Sequence, residues 1–590
     1  MGKSASLRDL IFLSNGVTSA LELNGDIVWF PCPRFDSPTI FCSLLDKSKG
    51  GHFSIHPTAN YKVSSRYMGN SLVAENTFTT RAGKLTTRDF LQLGATAIIR
   101  VFDSQVPFSA EIDPSFMYGS TTPAVDVTDY GLKFNTQSQQ DCLYVTIKGN
   151  YKAFGRRIDF EPGKGYIVAS YSEYERYKIS SDESAGHANP EKALKASLDY
   201  SAQNLSGSKK VREFSSAYYR SILVLLGLTY RASWGIIAAA TTSMPTAMGR
   251  DTNWDYRYVW IRDASYAIEA LCSCGLLSHA NKALDFLISN VDVSSKPFVH
   301  PLFTIDGLEV PLERRLNWLS GYADSKPVRI GNIAYVQMQK DCEGDFMSAF
   351  YRYFKESGDM AYVRENLWAI NALAEWARKT WQNPSLSMWE ERLEEKHFVH
   401  TKVMDWVILD RASRFYDSLG MGERARQCRD AGMELYKDIM AHGTVRAGNS
   451  KRFARQYGSQ EVDSSLLLLP LYGFVDVNSD LFSNTLEVIE QRLSTKGGIL
   501  LRNEHDFEGD VSHPFTLVSA WLAHVYAKRG ERAKARKMIL DLLRHSNNHL
   551  LMSERVDTTR REPIGNFPQL FPHAGLIEAI IEYNGKQAPI

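Results

Sequence analysis

Long apolar runs, paired cysteines and an excess of charge of one sign are all missing from this 590-residue chain. No stretch approaches the ~18 to 20 uninterrupted apolar residues that a membrane span needs. The opening MGKSASLRDLIFLSNG is broken by Arg8 and Asp9 before a secretory apolar region develops. Its Met-Gly start fits only the loose myristoylation pattern and is set aside. A soluble protein with no membrane partner is therefore expected. The seven cysteines (Cys32, Cys42, Cys142, Cys272, Cys274, Cys342 and Cys428) are scattered and odd in number. That distribution speaks against a disulfide framework and for a reducing, cytoplasmic setting. The formal net charge of +1 gives no reason to expect nucleic acid or an anionic membrane as partner. Metal patterns are also wanting. Cys272 and Cys274, two apart in a helix, diverge by about 200°. His397 and His400 share a helical face but have no third or fourth ligand at a metal-site spacing, so a surface or substrate-pocket role is expected of them. No metal or other cofactor is called for, and no internal repeat stands out.

What the chain does have is apolar and aromatic material, 44% and 12% of its residues, and enough length for two or more domains. Residues 1–185 read as strands and tight turns. Thr18 to Leu23 and Asp26 to Phe30 flank Asn24-Gly25, a type I′ hairpin signal. Leu143, Val145 and Ile147 alternate with Tyr144 and Thr146 as in a half-buried strand. An antiparallel β-sandwich is expected there. A polar, partly helical linker follows over 186–211, and the period then changes from two to 3.6. Over 212–590 the spacing predicts helices near 216–229, 264–275, 278–291 (with Ser278 as N-cap), 342–357, 360–381, 400–418, 421–441, 462–472, 482–493, 515–529, 531–546 and 574–583.

Three segments between these helices carry chemistry. Trp389-Glu390-Glu391 and Ser553-Glu554-Arg555 each present a carboxylate in a loop, and DTNWDYRYVWIRDAS, from Asp251, crowds Trp, Tyr, Arg and Asp together. Glycosidic cleavage needs one carboxyl to protonate the leaving oxygen and a second to activate water or to attack, and Glu390 and Glu554 are the candidates. Aromatic faces stack on pyranose rings while Arg and Asp hold hydroxyls. Carboxylates alone are weak evidence in a chain with 67 Asp and Glu, most of which are solvated surface.

NWDYRYVWIRDAS, WEER followed by HTKVMDWVILDRA, and SERVD with GNFPQLFPHAGLI resemble, in order, three signatures of the glucoamylase and trehalase family, glycoside hydrolase family 15. Residues 14–46 resemble the N-terminal domain of its prokaryotic members, so the resemblance spans nearly the whole chain. It implies an (α/α)6 barrel catalytic domain after the sandwich, with the site in loops at one end. It also implies an inverting mechanism in which Glu390 is the general acid and Glu554 the general base. Tyr256 matches the tyrosine that shares the nucleophilic water. Arg262 and Asp263 are to grip the outer hydroxyls of the terminal glucose, with Trp260 as pocket wall and Arg502 as a further sugar contact. Glu391 is to face the leaving-group sugar, and Trp389 is to provide the low-dielectric wall beside Glu390. The sequence departs from many relatives at Leu393, where glycine is usual, and in EGDVSH before Pro514, both on the leaving-group side. The reaction type is untouched by these departures; the substrate is less firmly implied. A small carbohydrate is the expected partner, α,α-trehalose before the ends of maltodextrin or glycogen. A homo-oligomer is compatible with the sequence. The rivals are a disaccharide phosphorylase, which would need no base at Glu554, and a carbohydrate-binding protein without turnover.

Overall fold

Asn24 and Gly25 take φ angles of 53° and 91°, the positive pair a type I′ turn demands, and Ser19–Leu23 folds back on Asp26–Pro31 with Leu23 opposite Asp26. In the computed structural model, which describes residues 6–137, 141–171, 189–291, 300–390, 395–447, 450–505 and 513–585, antiparallel pairing builds two eight-stranded sheets among those residues. The first runs Leu10–Ser14, Ser19–Leu23, Asp26–Pro31, His52–Pro57, Phe108–Asp113, Arg157–Phe160 and Tyr151–Phe154, with Thr39–Phe41 paired to Asp26–Pro31. The second runs Ala124–Thr128, Gly131–Asn135, Cys142–Lys148, Gly163–Ser170, Ala97–Ser104, Lys84–Leu91, Ala74–Thr79 and Lys62–Tyr67. Their facing sides share a core that includes Phe30, Ile55, Phe108 and Ile158 from the first sheet and Phe78, Ile98, Leu132 and Val145 from the second.

In Leu10–Ser14, Ser19–Leu23 and Asp26–Pro31 of the first sheet both faces are buried, and this joins the two halves of the molecule. In Leu10–Ser14, Ile11 and Leu13 point into the sandwich core, whereas Leu10 and Phe12, with Leu21 and Trp29, belong to the same hydrophobic cluster as the helices. A strand covered on both faces reads as a continuous apolar run, which is what LIFL is. Cys142–Lys148 departs from the half-buried expectation, since Tyr144 and Thr146 are buried as well; the Lys133 ammonium lies 5.4 Å from the Tyr144 ring centroid. The helix Pro190–Ser206, capped by Asn189 and opened by proline, packs Ala193 and Leu194 against Phe90, Ile99 and Val168 of the second sheet and against the adjoining Val73.

The helical part is a double ring. The inner ring passes from Ile261–Ser273 to Asp341–Ser357, Val399–Ser418, the 3-10 turn Ser464–Leu468, Thr516–Lys528 and Leu570–Gly585, which closes on Ile261–Ser273. The outer ring consists of Ser215–Gly227, Leu277–Ser289, Leu367–Thr380, Gly422–His442, Asp480–Leu493 and Arg532–His545. Inner helices are buried nearly all round, as in Thr516–Lys528. Outer ones bury a stripe, such as Ala425, Cys428, Gly432, Leu435 and Ile439 of Gly422–His442. The architecture is a β-sandwich followed by an (α/α)6 barrel.

Four helices differ from the periodicity. The 462–472 segment shrinks to Ser464–Leu468 ahead of Pro470. The 360–381 segment breaks at Asn366 into Met360–Glu365 and Leu367–Thr380. Leu277–Ser289 starts after Leu276, so Ser278 lies inside the first turn. The last helix begins at Leu570 because Pro572 sits where a first turn needs no N–H donor. Among the described residues no helix is long and apolar enough to cross a membrane.

Candidate active site

A cleft of about 770 Å³ opens where the inner helices begin, and the three chemical segments converge on it. Trp260, Arg262 and Asp263 come from the start of Ile261–Ser273, and Trp389 and Glu390 from the loop ahead of Val399–Ser418. Phe515 precedes Thr516–Lys528, Glu554 precedes the strand Arg555–Asp557, and Gln569 and Phe571 open the last helix. Tyr256, Trp254 and Arg502 also line the cleft. Sites at helix starts are electrostatically suited to carboxylates, because the free N–H groups of the first turn face them.

Glu554 is 4% exposed, and its Oε1 accepts the Tyr256 hydroxyl hydrogen bond at 2.9 Å. Gly565, at φ +91°, passes so close that a Cβ there would stand 3.4 Å from the Glu554 Cβ. Two of its arginine neighbours make contacts of their own. Arg560 faces Asp557 at 3.7 Å. Arg555 lies over Phe515, 5.5 Å from its centroid, and donates to the His513 carbonyl at 2.9 Å.

Glu390 is more open, with 27% of its side chain exposed, and its Oε1 lies 3.5 Å from Arg262 Nη1. The same oxygen accepts the Trp260 indole N–H at 2.9 Å. Its φ of 58° is left-handed, a conformation that costs a non-glycine residue about 1 kcal/mol or more and persists only where the surroundings enforce it. The preceding Trp389 donates its indole N–H to Asp463 at 2.8 Å and packs its ring at 5.7 Å from Phe515. Arg502, 4% exposed, sits 5.6 Å from the Trp389 centroid and 5.4 Å from that of Phe515.

Arg262 and Asp263 are each 3% exposed. Arg262 donates to Asp341 at 2.7 Å and to Gln339 at 2.5 Å. Burial opposes its charge, but Asp341, Cys342 and Glu390 together outweigh it and hold its pKa well above the ordinary arginine value. Burial drives the Asp263 carboxyl well above the usual carboxylate range; Arg262 opposes this, and the Glu390 and Glu554 charges add to it. A carboxyl held in that direction is available as a hydrogen-bond donor as well as an acceptor.

Comparison with known proteins decides the family. The model of glycosyl hydrolases family 15 matches residues 213–544, and that of a trehalase-like N-terminal domain matches residues 2–160. The chain belongs to glycosyl hydrolase family 15. It is 42% identical to Trehalase 2 of Sulfolobus acidocaldarius, over 97% of this chain and 99% of that one. It is 32% identical to a trehalase of Thermoplasma acidophilum, over 94% and 96% of the two chains. A bacterial glucoamylase solved with acarbose shares the fold, with a TM-score of 0.75 at 16% identity, covering 98% of this chain and 94% of that one.

Among the family 15 residues expected from the sequence, Tyr256, Trp260, Arg262, Asp263, Trp389, Glu390, Arg502 and Glu554 all line the one cleft; Glu391 lies outside the described residues. His400 does not line it. Burial pushes that imidazole down to about 4, with Asp341 opposing and Arg262 reinforcing, and His397 stacks on Tyr457 at 5.4 Å. Among the described residues, no group of three or more His, Cys, Asp or Glu is placed to hold a metal ion. Sequence reading passed over Asn332, Ile333, Ala334 and Gln337, which line the cleft from a segment without a recognisable motif. It also passed over Trp254, Phe515, Gln569 and Phe571, although the first and the last two stand inside stretches that carried the family resemblance.

Proposed function

We propose that the chain hydrolyses α,α-trehalose to glucose with inversion at the attacked anomeric carbon. Glu390 gives its proton to the glycosidic oxygen as the C–O bond breaks. A water held by Glu554 and Tyr256 attacks from the opposite face and leaves its proton on Glu554. Solvent then carries that proton back to Glu390. Arg262, Asp263, Trp260, Trp389 and Arg502 bind the glucose ring that is attacked, and Glu391 the leaving one. The observation that carries the reading is that relatives named trehalase match this chain from end to end, at 42% and 32% identity, while Glu390 and Glu554 line the same cleft. We further propose a division into a sandwich over 1–185, a linker over 186–211 and a catalytic barrel over 212–590. Action in the cytoplasm is supported by the scattered and odd-numbered set of seven cysteines.

The test is proton NMR of fresh product. Inversion at one carbon of trehalose releases one β-glucose from the attacked ring and one α-glucose as leaving group, so the two anomers must appear initially in equal amounts. An all-α product would mean double displacement and defeat the mechanism. Faster glucose release from maltose or soluble starch than from trehalose would defeat the substrate.

A further inference from the structure

None of the described residues lining the cleft comes from the β-sandwich, yet the sandwich grips both polypeptide segments that form the Tyr256–Glu554 pair. On the Tyr256 side the grip is Arg257, 1% exposed and next in sequence. Its fork makes four hydrogen bonds. Nε and Nη2 donate to Asp255 Oδ1 and Oδ2 at 2.9 and 2.8 Å. Nη1 donates to the Ser37 carbonyl and Nη2 to the Tyr118 hydroxyl, both at 2.8 Å. Ser37 and Tyr118 belong to the sandwich, as does Trp29, whose ring centroid lies 5.9 Å from the guanidinium. Trp29 in turn donates its indole N–H across to the Ala240 carbonyl at 2.9 Å. The turn that presents Tyr118 is strained: Met117 and Tyr118 both adopt left-handed φ, 51° and 58°. Two such residues in succession persist only where contacts on all sides over-determine them.

On the Glu554 side, the hairpin Arg555–Asp557 with Glu562–Ile564 follows the carboxylate directly. Arg8 donates to the Arg560 and Arg561 carbonyls in its turn, at 2.7 and 2.9 Å, and Ser6 donates to Glu562 at 3.2 Å. The intervening Asp255 also accepts the Gly331 N–H at 3.3 Å, and its carbonyl accepts from Asn332, a cleft residue, at 3.2 Å. One buried cation thus ties the sandwich, the Tyr256 segment and the 331–332 segment together.

We infer that the β-sandwich is an active-site positioning module, and that Arg257, held by Tyr118 and Ser37, sets the place of the Tyr256 hydroxyl against Glu554. This rests on the reading of Tyr256 and Glu554 as the water-activating pair. Arg257 itself touches no reacting atom. Lysine supplies the charge but not the rigid five-donor fork, so it cannot reproduce the three-way attachment.

The test uses the full-length enzyme with Tyr118→Phe, Arg257→Lys, Tyr256→Phe and the Arg257→Lys/Tyr256→Phe pair, assayed on trehalose with circular dichroism and thermal midpoints alongside. Tyr118→Phe, a mild change made wholly within the sandwich, is expected to lower kcat about three- to tenfold with KM changed less than about twofold, and Arg257→Lys to lower kcat about tenfold or more. Tyr256→Phe alone should cost about tenfold or more, and adding Arg257→Lys to it should cost less than about twofold further, because both changes disable one device. Losses that multiply in the pair, or normal kcat with a lowered melting temperature in Tyr118→Phe and Arg257→Lys, would show a purely structural clamp and overturn the inference. A Tyr256→Phe enzyme with kcat near wild type would instead overturn the catalytic reading beneath it, and the inference with it. Should Arg257→Lys fail to fold, Tyr118→Phe alone, paired with Tyr256→Phe, decides in the same way.

Discussion

At Glu390 the backbone and the chemistry are in tension. A glutamate at φ 58° is less stable than glycine would be there, so the conformation is held by what surrounds the side chain: Trp260 at 2.9 Å and Arg262 at 3.5 Å. Replacing the carboxylic acid by its amide keeps size and most hydrogen bonds but removes the transferable proton. Glu390→Gln is therefore expected to lower kcat on trehalose by about 10² to 10⁴ while KM stays within about threefold. Steady-state kinetics at saturating trehalose check this, and retention of more than about a third of wild-type kcat would dismiss Glu390 as the acid. An activated leaving group, which needs little proton donation, should suffer a smaller loss.

The starts of the inner helices carry most of the polar apparatus, and Asp341 shows how one element equips another. It stands in the first turn of Asp341–Ser357, 0% exposed, and anchors Arg262 from the neighbouring helix at 2.7 Å. Removing one partner of a buried ion pair leaves the other charged and desolvated, at a cost of about 3 to 5 kcal/mol. Asp341→Ala is thus expected to destabilise the protein by about 3 kcal/mol in chemical denaturation. Asp341→Asn, which keeps one acceptor, should fold but raise KM and lower kcat together, since Arg262 loses its orientation. Unchanged kinetics in the asparagine variant would mean that Arg262 is held well enough by Gln339 alone.

Over the whole molecule, buried ionisable groups make stability depend on pH in opposite directions. His573, fully buried in the last helix, accepts the Met552 N–H on Nε2 at 3.1 Å, so its proton is on Nδ1, where Ser221 is 2.9 Å away. Burial pushes its pKa from 6.5 down to about 3, and that of His400 down to about 4. Below pH 6.5 the unfolded chain therefore binds protons the native state refuses, and stability falls as pH falls, by up to about 1.4 kcal/mol per pH unit for each group. Glu343 acts oppositely. Burial raises it from 4.5 to about 8, so the native state keeps a proton the unfolded chain releases above 4.5, and stability falls as pH rises through that window. His573→Gln retains an acceptor for Met552 without a basic nitrogen. Between pH 6.5 and 5 it is expected to lose about 1.6 kcal/mol less stability than wild type, as read from urea midpoints at each pH. Parallel pH curves for the two proteins would show that His573 does not titrate on unfolding.

Much of this was legible in the residues because it depends on local physics. Asn24-Gly25 makes its hairpin wherever it stands, since only its backbone angles matter. The 3.6 period located the long barrel helices, because each must bury a stripe, and long motifs carried the family and the pair Glu390 and Glu554. Where local pattern was ambiguous, packing decided: Ser464–Leu468 is short because Pro470 stops it and an inner-ring position needs no more, and Tyr144 is buried although alternation alone placed it outside. The same holds for the site. Asn332 and Gln337 carry no motif, and reach the cleft only because Asp255 and the neighbouring loops bring them there. That Glu390 is held by Trp260, that Arg262 leans on Asp341, and that the sandwich reaches the Tyr256–Glu554 pair through Arg257 are contacts between residues dozens to hundreds of positions apart. Pattern in a sequence records what each segment must bury; which buried groups then meet is set when the two rings and the two sheets close on one another.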